Sequence, residues 1–272
     1  MKQDLIFKRR IEKDFDLPGA IIKVAEYLAE WKDTQPLQYT ASPVRKISLT
    51  RPDIMNYLGE VEERCNLSDY TSFVLSDHKS RPSIFFLFSE NVLSQEQMIT
   101  VPLLEEDLSD LSRVQSLVDL VGNLGISFEA TYGFTPTRQL SNFHGRSLRL
   151  YEQEIKKKEL SQRKFYLRPV LPDGVEDNLP ELLLPSEFDV HSVPDGVWWI
   201  NYWSYNHVNN IGSQYIKKAS WEKMKYLPNG ALVLLATPSL LDIYNRKHLD
   251  KLKDITDVLR LRSVQDKYRY KA

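Results

Sequence analysis

Histidines, the single cysteine and clustered carboxylates are the side chains here that could carry reaction chemistry, and their spacing excludes the common arrangements. The sequence has no GxSxG elbow, no GxxxxGK[ST] loop, no GxGxxG turn and no HExxH helix. Serine acyl transfer, P-loop phosphoryl chemistry, dinucleotide binding and zinc peptidase chemistry therefore lack the residues they require. His78, His144, His191, His207 and His248 are scattered without metal-ligand spacing, and Cys65 has neither a CxxC partner nor a histidine nearby. No metal site and no disulfide within the chain are expected, and Cys65 reads as a bystander thiol in a reducing compartment. The adjacent Asp77 and His78 read as a turn or surface pair. Glu154-Ile155-Lys156 matches half of a nuclease signature, but it sits in a charged helical stretch rather than on a strand. The expectation is a protein without catalytic residues or cofactor. An alternative remains an enzyme whose site is assembled from scattered polar residues such as Asp195, Asn201, Tyr202 and His207.

Carboxylates are concentrated in two places. Glu105, Glu106, Asp107 and Asp110 stand at the start of an apolar helical pattern, where negative charge meets the positive end of the helix dipole. They read either as helix-terminal stabilisers or as partner contacts. From Pro169 to Ile216 there is no Lys or Arg, while Asp173, Glu176, Asp177, Glu181, Glu187, Asp189 and Asp195 supply seven negative charges. The net charge of -1 hides this polarity, because Arg246 to Ala272 carries nine basic residues against four acidic ones. Those bases alternate with an apolar stripe, so a solvated helix face is expected there rather than a nucleic-acid surface.

Gly196 to Ser204 (GVWWINYWS) holds three of the five tryptophans. In an extended strand Trp199, Asn201 and Trp203 face one way, and Trp198, Ile200 and Tyr202 face the other. Such a strand is either central to a core or offers one aromatic face to a partner, since Trp and Tyr are enriched at binding hot spots. The binding candidates are therefore Asp173, Glu176, Asp177, Glu181, Glu187, Asp189, Asp195, Trp199, Trp203, Glu105 and Glu106.

These residues need elements to hold them. At 272 residues, 42% hydrophobic and 27% charged, the chain can bury a large core without staples. Pro18 can open a helix carrying Ile21, Val24, Leu28 and Trp31 on one stripe. Thr50 and Asp53 form a capping pair ahead of Ile54, Leu58 and Val61. Ser83 to Phe88 and Ile99 to Leu103 read as strands, and Leu104 to Val121 as an amphipathic helix ended by Gly122 and Gly125. Beyond a charged segment, Arg149 to Arg163, come a strand at Phe165 to Val170 and a proline-rich extended stretch from Pro172 to Pro194. Strands at Val197 to Trp203 and Ala231 to Ala236 follow, then a last helix with Leu249, Leu252, Ile255 and Val258 on its apolar stripe. The fold class is α+β, with mixed sheets packed against helices in two similar-sized lobes, 1–145 and 146–272. The charged start, Met1 to Asp14, and the lack of an apolar run of membrane length give the expectation of a cytoplasmic protein.

Asp195 to Trp203, then Gly212, then Asn229 to Thr237 and a closing helix, resemble the immunity protein 52 family over residues 194 to 262. The resemblance implies a bacterial polymorphic toxin system, linked to type VI secretion, in which the protein is a cytoplasmic antidote. Its partner would be a cognate toxin with a restriction-endonuclease-like nuclease domain. It implies no catalytic residue, no cofactor, no direct nucleic-acid contact and no membrane.

Overall fold

The computed structural model describes residues 3–10, 14–32, 38–40, 48–64, 71–76, 82–88, 96–103, 108, 111–135, 166–167, 182–183, 185, 187–242 and 244–270. Helices and antiparallel strands both occur in each half of the chain, so the class is α+β, as the sequence predicts. Two compact units are formed, residues 1–133 and 134–272. The division at 145/146 suggested by sequence lies outside the described residues. Among the described residues no helix is long and apolar enough to cross a membrane.

In the first unit the strands run in the order β6 (Tyr132–Phe134), β1 (Gln3–Arg10), β5 (Glu96–Leu103), β4 (Pro82–Phe88), β3 (Thr71–Ser76), β2 (Gln38–Thr40). β1 and β5 pair antiparallel along eight residues, from Gln3 opposite Leu103 to Arg10 opposite Glu96. That full-length pairing explains why β5 begins three residues before the expected strand. Leu5 and Phe7 on β1, with Ile99, Val101 and Leu103 on β5, are buried. Helices α1 (Leu17–Trp31) and α3 (Leu111–Ser127) contribute Ile21, Val24 and Leu28 and then Leu117, Val121 and Leu124 to the core. The indole Nε1 of Trp31 donates to Ser116 Oγ at 2.9 Å and ties the two helices together. Helix α2 (Arg51–Arg64) begins at the expected cap, where Thr50 Oγ1 donates to Asp53 Oδ2 at 2.7 Å.

Two sequence expectations change in this unit. β1 was not anticipated, because its third inward position is charged. Arg9 is 2% exposed, with its guanidinium 3.2 Å from the Phe15 ring centroid and its Nε donating to the Arg10 carbonyl. The other change is that α3 runs through Gly122 and Gly125 to Ser127. Both glycines are buried, and contact with the core outweighs their low helix propensity of roughly 1 kcal/mol each. The helix ends instead at Glu129, whose φ of 47° is left-handed. Ala130 N donates to Gly125 O at 2.8 Å and Glu129 N to Ile126 O at 3.0 Å, a Schellman closure without glycine.

The second unit carries strands β10 (Lys223–Tyr226), β11 (Leu232–Leu235) and β9 (Ile200–Trp203) in that order, with β11 in the middle and both pairings antiparallel. A turn at Pro228-Asn229-Gly230 joins β10 to β11. Gly230 has φ 80°, and Asn229 Oδ1 accepts from Ala231 N at 3.2 Å. Every residue of β9 and β11 is buried, so both strands are covered on both faces. Short helices α4 (Tyr205–Ile211) and α5 (Ser213–Lys218) follow β9. The last helical stretch is α6 (Arg246–Leu259), broken at Arg260 with φ 52° and resumed as α7 (Leu261–Lys267). Leu249, Leu252 and Ile255 lie on its buried stripe as expected, whereas Val258 is 36% exposed and Leu259 takes the buried place, because a third step of three residues drifts off a face that repeats every 3.6. A further small pair, β7 (Tyr166–Leu167) with β8 (Leu182–Leu183), is antiparallel.

Candidate functional site

The aromatic segment is a core built around one amide. Asn201 Oδ1 accepts from Trp198 N at 2.9 Å and its Nδ2 donates to Trp198 O at 2.8 Å. This two-way bond holds Trp198 out of the strand, which is why β9 starts at Ile200 rather than at Val197. Trp199 donates to the Thr237 carbonyl at 3.0 Å, and Trp203 meets the Trp221 ring edge-on with centroids 5.5 Å apart. Trp198 stacks on Phe134 at 5.1 Å. Trp199 and Trp203 are both 0% exposed. Of the two sequence readings of these tryptophans, the geometry matches packed core, and neither ring offers area to a partner in this conformation.

Next to that core lies an irregular stretch, residues 187–195, fixed almost entirely by side-chain and main-chain bonds rather than by regular structure. Asp189 organises its first turn: Oδ1 accepts from His191 N at 3.1 Å and Oδ2 from Ser192 Oγ at 2.7 Å, while its carbonyl accepts from Ser192 N and Val193 N. Helix α4 grips the same turn from outside. His207 Nε2 lies 2.9 Å from Val190 O, and Asn210 Nδ2 donates to Ser192 O at 2.9 Å. A carbonyl can only accept, so His207 carries its proton on Nε2. Burial pushes the His207 pKa down to about 3, against smaller upward pulls from the Val190 hydrogen bond and the Asp189 charge, so the ring is neutral near pH 7. Asp195 closes the far end by accepting from Trp198 Nε1 at 3.0 Å.

The C-terminus supplies the remaining anchors. Phe188 bridges Arg269, Asp189 N donates to Tyr268 O, and Tyr270 N donates to Glu187 O. Gln265 is 0% exposed; its Oε1 accepts from Leu183 N and its Nε2 donates to Pro194 O, both at 3.0 Å. Glu187, Asp189 and Asp195 are thus brought onto one ordered loop, each half-buried. Asp173, Glu176, Asp177, Glu181, Glu105 and Glu106 lie outside the described residues. Gln265, His207 and Asn210 hold the loop and were not read as its supports. A lone glutamine on a short helix reads as surface, and nothing in its spacing marks it as buried.

The four polar residues of the enzymatic alternative do not present a shared set of reactive groups. Asn201 is committed to Trp198, Tyr202 accepts from Asn229 Nδ2 at 3.2 Å, His207 faces a main-chain carbonyl and Asp195 holds an indole. Burial raises the Tyr202 pKa above its ordinary value. Among the described residues no group of three or more His, Cys, Asp or Glu is placed to hold a metal ion.

The fold defines an α+β protein with an ordered acidic loop beside an aromatic core. Among solved structures of similar fold is a Pseudomonas aeruginosa protein described as T6SS protein PA0821. The likeness has a TM-score of 0.52 at 10% identity and covers 96% of this chain and 72% of that one. No family model matches the chain. No curated protein matches it in sequence. The resemblance to the immunity protein 52 family therefore rests on the residues quoted for it.

Proposed function

We propose that the chain is an immunity protein, acting in the cytoplasm, that binds and neutralises a co-encoded nuclease toxin and catalyses nothing itself. The observation that carries this reading is the loop from Glu187 to Asp195. It is acidic, free of Lys and Arg, and held in one conformation by side chains from two helices. An ordered loop loses little conformational entropy on binding, which favours tight association. Its charge suits a nuclease, whose nucleic-acid-facing surface is cationic, and such complementarity acts mainly on the association rate.

Two further points support the reading. The protein that shares the fold is described as a T6SS protein, and we carry that association to this chain. The polar residues of the enzymatic alternative are used up in structural bonds. The deciding experiment is co-expression with the product of the neighbouring toxin gene, scored by pull-down and by survival of the host. A toxin that neither binds nor is neutralised would end this reading.

A further inference from the structure

We infer that Gln265 is a positioning residue of the acidic loop, so that the C-terminal helix, together with the loop's own Asp189 turn, sets how Glu187, Asp189 and Asp195 are presented. The functional consequence rests on the proposed binding role, whereas the clamp itself is a property of the chain alone.

Gln265 brackets the loop, contacting Leu183 four residues before Glu187 and Pro194 near its end. Leu183 N is a donor and Pro194 O is an acceptor, so the bridging side chain must accept at one atom and donate at another, a fixed distance apart. A primary amide of this length does both. An apolar residue does neither, and an ionised carboxylate would set negative charge against the Pro194 carbonyl. The segment between Leu183 and Pro194 is thereby closed by one side chain, and closing a loop lowers the entropy of the chain inside it.

The neighbouring strap points the same way. Tyr268, Arg269 and Tyr270 follow Gln265 directly and pair with Glu187 to Asp189 in the middle of that span. Helix α7 and its tail thus contact the chain just before the loop, the loop's start and its end, while α4 holds Val190 and Ser192. Loss of the Gln265 side chain removes two anchors at once.

Hydrogen exchange on the full-length protein, without any partner, tests this. Gln265→Leu and Gln265→Met are compared with the parent chain at the amides of Leu183, Asp189, Ser192 and Val193 and at those of β9 and β11. The expected result is exchange at least about tenfold faster across the loop with the strands unchanged. Unchanged loop amides would overturn the inference. So would an equal rise in loop and strand amides, or failure of both variants to fold, since Gln265 would then support the whole unit rather than the loop. Because no toxin is present, a failed pull-down leaves this result standing, and a positive one does not replace it.

Discussion

Asn201 satisfies both main-chain polar groups of Trp198 with a single side chain, at 2.9 Å and 2.8 Å. Removing that side chain leaves a buried N–H and a buried C=O without their partner, and each such group costs about 1–3 kcal/mol. Asn201→Ala is expected to lower unfolding free energy by roughly 2–5 kcal/mol, read from urea denaturation. A loss under about 1 kcal/mol would mean that the amide is not what holds the Trp198 turn.

His207 gives a pH signature with a defined sign. Its folded pKa of about 3 lies below the unfolded value of 6.5, so the unfolded chain binds the proton more readily. The stability it contributes is fully present above pH 6.5 and is lost as pH falls from there through about 3, at up to about 1.4 kcal/mol per pH unit. Between pH 6.5 and 5 ordinary carboxylates remain ionised, so this limb belongs to histidines, to His207 and to His248, whose pKa burial also lowers, and the difference between parent and variant isolates the share of His207. His207→Gln is expected to flatten it in thermal melts taken across that window.

The indole rings of Trp199 and Trp203 should matter to folding and not to recognition. Trp203→Ala removes a fully buried ring packed against Trp221 and is expected to cost about 3–5 kcal/mol. Trp203→Phe retains much of the volume. It should bind the toxin at the parent rate once corrected for the folded fraction. A selective loss of binding in the folded Phe variant would return the aromatic strand to the contact surface.

The acidic residues should show the opposite division. Replacing Asp173, Glu176, Asp177 and Glu181 by Asn and Gln, with Glu187→Gln added, is expected to slow association with the toxin by roughly tenfold or more at low salt. The dissociation rate and the melting temperature should move little. Stopped-flow rates measured across a salt series decide it, and an unchanged salt slope would show that steering comes from elsewhere.

Much of the fold was legible because its signals are periodic. The stripe Ile21, Val24, Leu28 and the Thr50 and Asp53 cap place α1 and α2 where the structure has them. The Pro228-Asn229-Gly230 turn likewise announces β11. What escaped sequence reasoning depends on partners far away in the chain. Arg9 sits inward on β1 because Phe15 and Phe128 flank its guanidinium, and a charge at an inward position hides the strand's alternation. At the candidate site the acidic charge was visible, but its order was not. Gln265 reaches Leu183 across 82 positions, and no local pattern encodes that.

Arg260 adopts φ 52° between α6 and α7. Were that residue helical, residues 246–267 would continue as one straight rod and Gln265 would be carried along α6's axis, away from Leu183 and Pro194. One backbone torsion therefore acts as the elbow that aims the chain's final helix. The steric tax that an L-amino acid bears there is what converts a solvent-washed amphipathic helix into a tool for shaping a loop.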